Sequence, residues 1–501
     1  MTTEAALAAL VFGPLSAAAA LVLLGGGLPR LRAGIVLAAL LAPLALLVPP
    51  TLALRAQPVI ELALAGQVPP LGIGLRLDAL ALVMLWLVAV VGAGAGLHAF
   101  RAQPPQAVAG TRFWPVWLLM MAGLNAFFLS ADLFNLYVAI ELVTLAGVAL
   151  VSWSGKAAAL RAAMRYLLLA MLASLAYLLA VALLYSEHGT LDLYLLAGVA
   201  GEGSGATRTA LALAVVSLLL KGAIFPLHIW LPPAHARAPG AVSAVLSALV
   251  VKTALYLLYR LWFWTLDGAQ PAAVGVLLGA LGGTAALYGS VAALVQVRLK
   301  RMVAYSTVAQ LGYLMLVFPL AAAAGAGAVA WHGAIYQLLA HALAKSAMFL
   351  AAANLLQGLG SDRLPDLAGA GRRLPLSVFA FAVAGVSLMG LPPSGGFLAK
   401  WLMLEAAWMG AGWGWMAVLL VGSLLASVYV FRALSAMFAA PADDAPRPPV
   451  ALPRTMELAA LALAALAIAA GFASAPVFGL LDAGPPFPVV DPSLPVVEET
   501  P

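Results

Sequence analysis

Six ionisable side chains stand inside apolar stretches of the chain: Glu141, Lys221, Lys252, His341, Lys345 and Lys400. A carboxylic acid, four amines and an imidazole share one chemistry, the reversible gain and loss of a proton. Glu141 lies in LFNLYVAIELVTLAGVAL, Lys221 in SLLLKGAIFPLHIWLPP, and Lys252 follows an apolar run from Ala241 to Val251. His341 and Lys345, in QLLAHALAKSAMFL, are four residues apart and so project from one helical face. Lys400 belongs to MGLPPSGGFLAKWLML. A charge in such surroundings is costly unless it is paired, hydrated or neutralised, and pairing of Glu141 with a lysine on another helix is the stronger reading. The plainer readings, a packing hydrogen bond from a neutral Glu141 or lysines snorkelling to an interface, carry less weight because the groups lie deep in their segments.

Two lysines adjoin helix breakers. Pro226 removes a backbone donor and clashes with the preceding turn, predicting a break at residues 222–226 beside Lys221. Pro392, Pro393, Gly395 and Gly396 predict a second at 392–396 beside Lys400. Backbone carbonyls freed at a break must face protein or water rather than lipid, which provides a polar pocket for an amine. His228 and His332 are further relay candidates, His332 lying nine residues before His341 and less secure on that helix. No metal or cofactor is expected. His228 and His235 flank Pro232 and Pro233 at a spacing unsuited to a metal, His98 has no facing partner for haem, and no glycine-rich phosphate loop follows a strand.

The elements that must position these groups follow from composition. The chain has 501 residues, 64% hydrophobic and 9% charged, and no cysteine. A soluble domain carries roughly 25% charged residues, so the chain reads as an all-α polytopic membrane protein without disulfides or iron–sulfur ligands. At about 20 residues per span, it accommodates about fourteen, from 4–24 to 455–480, with broken spans at 208–230 and 375–402. The first run lacks a basic leader and reads as a retained span. Residues 56–77 are too polar to cross and alternate like an extramembrane hairpin, and the Pro-rich acidic tail from Ala483 reads as loose.

Charge orients the spans. With the N-terminus outside, the cytoplasmic loops collect Arg30, Arg32, Arg101, Arg112, Lys156, Arg161, Arg165, Arg237, Arg298, Lys300, Arg301, Arg363, Arg372, Arg373, Arg432, Arg447 and Arg454. The opposite side keeps Arg55, Arg76, Arg208 and Arg260. Both termini then lie on the outer side of the inner (plasma) membrane, and the net charge of +6 marks topology rather than nucleic-acid binding. The two breaks fall five spans apart, an odd offset that implies inverted repeats. The chain divides into an N-terminal region with the hairpin (1–110), a first repeat (111–265), a second repeat (266–440) and a C-terminal helix with tail (441–501).

SADLFNLYVAIEL, KGAIFPLHIWLPPAHARAPGAVSAVLSALVVK, RLKRMVAYSTVAQLGYL, HALAKSAMFL and GLPPSGGFLAK, in this order, resemble the antiporter-like family. That family includes Mrp cation/proton antiporter subunits and the proton-pumping membrane subunits of complex I and energy-converting hydrogenases. The likeness covers roughly residues 75–440, and DLFNLYVAIEL is most similar to Mrp D-type subunits or their hydrogenase-linked relatives. The resemblance implies fourteen helices with two inverted five-helix repeats. It implies that Glu141 is the fifth-span glutamate, Lys221 the broken-helix lysine and Lys252 the bridging lysine. His341 and Lys345 become the central relay of the second half, and Lys400 the exit lysine. One departure is Gln337, where some relatives carry a histidine. The chain also stops soon after its last span, without the lateral helix of the largest respiratory subunit.

The implied function is proton translocation in a multisubunit cation/proton antiporter, with the Glu141–Lys221 pair as switch. The alternative is a pumping subunit of a complex I-like oxidoreductase or membrane-bound hydrogenase, holding no redox centre itself. Expected partners are other membrane subunits, protons with Na⁺ or K⁺, and the lipid bilayer.

Overall fold

The computed structural model describes residues 2–63, 66, 72, 74–201, 203–266, 271–440 and 450–483. Leu, Ala and Val dominate these residues, and helices satisfy their backbone hydrogen bonds without water. Among the described residues, 11 helices are long and apolar enough to cross a membrane, or 12 if the bent pair Arg454–Ala469 and Ser474–Asp482 is one span. The protein is thus a polytopic all-α membrane protein. The broken spans expected at 208–230 and 375–402 are each built from shorter helices, Gly205–Lys221 followed by Leu231–Arg237, and Pro375–Met389 followed by Gly395–Met409. A count of full-length helices leaves these two segments out.

The only strands among the described residues are Ile60–Ala63 and Gly74–Leu77, an antiparallel pair with Ile60 opposite Leu77. Glu61 and Arg76 pair across it. Part of the loop between them, the tail beyond Ala483, and the segment containing Arg447 lie outside the described residues.

Burial sorts the helices. Gly240–Thr265 is buried along its apolar stretch, and Leu299–Ala321 and Gly327–Leu359 nearly so. These central helices carry Lys252, His341 and Lys345. Thr3–Leu24, Pro29–Ala53 and Trp413–Phe438 lie outermost and turn leucines outward, as lipid permits. The helices Ala272–Leu294 and Leu299–Met315 pack with almost no space between backbones. A Cβ on Gly312 would strike the Gly282 carbonyl, and one on Gly282 would strike Met315. Small residues allow this approach where no hydrophobic force drives helices together.

Three cations expected in loops are buried. Arg32 reaches the Leu21 and Gly25 carbonyls at the end of the first helix, and the Pro105 carbonyl at 3.1 Å. The amine of Lys300 donates to the Ala238 carbonyl at 2.6 Å. Arg260 forms a two-pronged pair with Asp78, at 2.5 and 2.6 Å. It is enclosed because its helix continues through the π-helical turn Leu261–Thr265 instead of ending in a loop. Asp78 also caps the Ala79–Ala102 helix through Ala81 N at 3.0 Å. Removing one partner strands the other's charge, so Arg260→Ala is expected to cost about 3–5 kcal/mol. Thermal melts of the solubilised protein should show this loss, and the double change Asp78→Asn/Arg260→Gln should restore part of it.

Candidate functional site

Lys221 ends the Gly205–Lys221 helix. The chain then turns through residues 222–226, with Ala223 in the left-handed region at φ 53°, before the short 3-10 turn Leu227–Trp230. Trp230 Nε1 covers the Leu220 carbonyl at 2.9 Å, one of the acceptors that the break exposes. Lys221 Nζ lies 2.8 Å from Glu141 Oε1. Ser174 Oγ donates to that same oxygen from the Ala157–His188 helix. Three helices thus converge on one carboxylate, and its lysine partner arises 80 residues away.

Beyond Lys221 is a small cavity bounded by Thr144, Tyr166, Val250 and Thr253, with about 10 Å³ open to the centre of a water molecule. That is room for about one water. It leads to the π-helical turn Leu246–Val250, directly before Lys252. Such turns disturb the regular hydrogen-bond ladder and often mark functional positions. Lys252 Nζ donates to the Ser247 carbonyl, and Ser247 Oγ lies 3.0 Å from Thr307 Oγ1 on the next buried helix.

Lys345 Nζ donates to the Val303 carbonyl at 2.6 Å and to Ser306 Oγ. His341, one turn earlier, is 2% exposed, and neither ring nitrogen has a hydrogen-bond partner among the described residues. It lies within electrostatic reach of Lys252, Lys345 and Lys400. Lys400 Nζ donates to the Leu388 and Met389 carbonyls at 3.0 Å each, the free end of the Pro375–Met389 helix. The second break therefore occupies residues 390–394, slightly before the expected 392–396, because Ser394 already caps the following helix. Gly390, at φ 81°, has no alternative: a Cβ there would press on the Lys400 side chain. Gln337 donates to Gln310 at 2.7 Å, and Gln310 to the Leu388 carbonyl at 3.4 Å. The glutamine at 337 thus joins the His341 helix to the acceptor that holds Lys400.

Other candidates lie elsewhere. His228 packs among Phe225, Tyr288 and Tyr305. His332 pairs with Asp482 at 2.9 Å and stacks on Phe478, tying its helix to the C-terminal segment. Two further buried groups carry no clear signal in the sequence. His235 is fully buried against Phe349, within electrostatic reach of Lys252, Lys300 and Lys345. Lys300 sits in RLKRM, which reads as an ordinary basic loop. For His235 the only available signal was its place just after a helix break.

The row is chemically uneven. Among the described residues, only Lys221 of the four lysines has a carboxylate partner. Lys252, Lys345 and Lys400 rest on carbonyls and a hydroxyl. Each can therefore release a proton without leaving an acid unpaired, whereas a change at Lys221 must also change Glu141. No group of three potential metal ligands occurs among the described residues.

A membrane-embedded helix bundle with a buried row of acids and bases defines a transport subunit working on small ions. Residues 130–426 match the family model described as NADH:quinone oxidoreductase/Mrp antiporter, TM, and the chain belongs to that family. It is 36% identical over 376 residues to the N subunit of the NADH-quinone oxidoreductase of Desulforudis audaxviator, covering 74% of each chain. It is 29% identical over 415 residues to the D subunit of the Na(+)/H(+) antiporter of Alkalihalophilus pseudofirmus, covering 82% of each. Among solved structures it superposes on a chain of the Mrp complex from Dietzia sp. with a TM-score of 0.86 and 26% identity, covering 97% of this chain and 98% of that one.

Proposed function

We propose that this chain is the proton-translocating subunit of an Mrp-type cation/proton antiporter. The observation that carries this reading is the buried row itself: the Glu141–Lys221 pair, then Lys252, His341 with Lys345, and Lys400, across the centre of one bundle. Near-complete superposition on a chain of an Mrp complex and the likeness to the D subunit of an antiporter support it. Protons enter beside Lys221, move along the row, and leave beyond Lys400; opening and closing the Glu141–Lys221 pair drives the transfer. His228 and His332 lie off this route.

In this reading residues 111–265 and 266–440 form two inverted half-channels, flanked by residues 1–110 and 441–501. The Arg-rich loops face the cytoplasm and both termini face outward across the plasma membrane. The exchanged cation is Na⁺ or K⁺, and other membrane subunits complete the complex. The relationship to the N subunit of NADH-quinone oxidoreductase keeps a redox-driven pump as the second reading.

Inverted vesicles holding the complex, energised to a stable pH gradient, separate the two. A pulse of NaCl or KCl, but not choline chloride, is expected to collapse the gradient with no electron donor present. No response to either cation, with proton uptake only on adding a donor such as NADH, would establish the redox-driven pump instead.

A further inference from the structure

Six arginines gather at one end of the bundle, away from the buried row. Arg161, Arg165, Arg237, Arg298 and Arg301 line a cavity of about 260 Å³ together with Asp362. Arg298 and Arg301 also line an adjoining cavity of about 310 Å³, where Arg363 joins them. Hydrogen bonds between loops hold the floor: Leu299 N meets the Asp362 carbonyl at 2.7 Å, and Leu364 N the Val297 carbonyl at 2.8 Å. Among the described residues, Asp362 is the carboxylate lining these cavities, and Arg298 pairs with it at 3.0 Å. Among the described residues the other five arginines have no carboxylate partner. Fixed positive charge of this density in a concave site recruits an anion.

The geometry points to a binding site for the phosphate of an anionic phospholipid. Guanidinium groups suit phosphate oxygens through paired, charge-assisted hydrogen bonds. Two further features favour phosphate. The cavity is bordered by the first turns of Ala157–His188 and Leu299–Met315, whose N-terminal ends carry partial positive charge. From Arg161 and Arg165 the Ala157–His188 helix then runs on with Leu160, Met164, Leu168 and Leu172, each at least 50% exposed. Acyl chains would lie along that face while the headgroup fills the cavity, an arrangement that free phosphate does not need. Two adjoining cavities sharing Arg298 and Arg301 fit a lipid with two phosphates best. This site is independent of the proton row and stands or falls separately.

The test uses the intact complex in nanodiscs of phosphatidylcholine mixed with phosphatidylglycerol or with diphosphatidylglycerol. Lipid retained after gentle extraction is counted by native mass spectrometry. The wild type is expected to retain anionic lipid over phosphatidylcholine, most strongly diphosphatidylglycerol, and to lose that enrichment as NaCl rises. Arg161→Gln/Arg165→Gln/Arg301→Gln should reduce it about tenfold or more, while the corresponding Lys variant keeps part of it and verifies assembly. Equal retention by wild type and the Gln variant would overturn the site. So would saturable binding of inorganic phosphate without lipid enrichment, which would make free phosphate the ligand. Loss of a co-purifying subunit with unchanged lipid would assign the cluster to a protein contact and would equally overturn it.

Discussion

Lys221→Ala is expected to reduce proton transport to background. The variant leaves Glu141 with Ser174 as its hydrogen-bond donor and without its counter-charge, 14% exposed within the bundle. An uncompensated buried charge costs about 3–5 kcal/mol, which at about 1.4 kcal/mol per factor of ten corresponds to at least a hundredfold change in any step that needs the pair closed. Glu141→Ala removes the same pair from the other side and should give the same loss. The informative variant is Glu141→Asp, which keeps the charge but shortens the reach across the 2.8 Å contact. It should restore assembly and only part of the flux. Proton flux in vesicles, read by a pH-sensitive dye, decides the matter. Unaltered flux in both alanine variants would end the proposed mechanism.

Lys345→Arg should fail almost as completely as Lys345→Ala, and for the opposite reason. Alanine removes the carrier, leaving the Val303 carbonyl and Ser306 hydroxyl without their amine. Arginine keeps a cation in a 0% exposed position but holds its proton at every accessible pH. A lysine serving only as a fixed charge would keep its function on the exchange, so substantial flux in Lys345→Arg would remove it from the relay. Neither change strands a carboxylate. Both should therefore melt closer to wild type than Lys221→Ala, and comparing melts with flux distinguishes a blocked route from a damaged fold.

How legible these groups were depended on how local their determinants are. Lys221 and Lys400 could be read because prolines break the helix within a few residues of each, and Glu141 because nothing else near it is charged. The π-helical turn before Lys252 could not be read, since LSALV differs in no local preference from an ordinary helix. Arg260 looked like a loop cation because its partner Asp78 is 182 residues away. Lys300 was hidden among neighbouring basic residues, and only folding shows that it turns inward to the Ala238 carbonyl while Arg298 and Arg301 stay outside. The breaks also bear on the number of crossings: the 17-residue Gly205–Lys221 and the 15-residue Pro375–Met389 each lead into an expected break, so a count of full-length helices leaves both out. The family resemblance over residues 75–440 agrees with the family match at 130–426, because the motifs that carry it are the breaks and the charges themselves.

The cavity between Lys221 and the turn before Lys252 has a consequence for the resting membrane. With about 10 Å³ open to water centres, it has room for about one water molecule. A proton carrier built on a permanently flooded channel would short-circuit the gradient on which its cell lives. On the proposed route, a gap this narrow would act as insulation, with current flowing only when the bundle loosens enough to wet it. Enlarging it, for instance by Val250→Ala or Thr144→Ala, should raise passive leak in vesicles before it raises coupled transport.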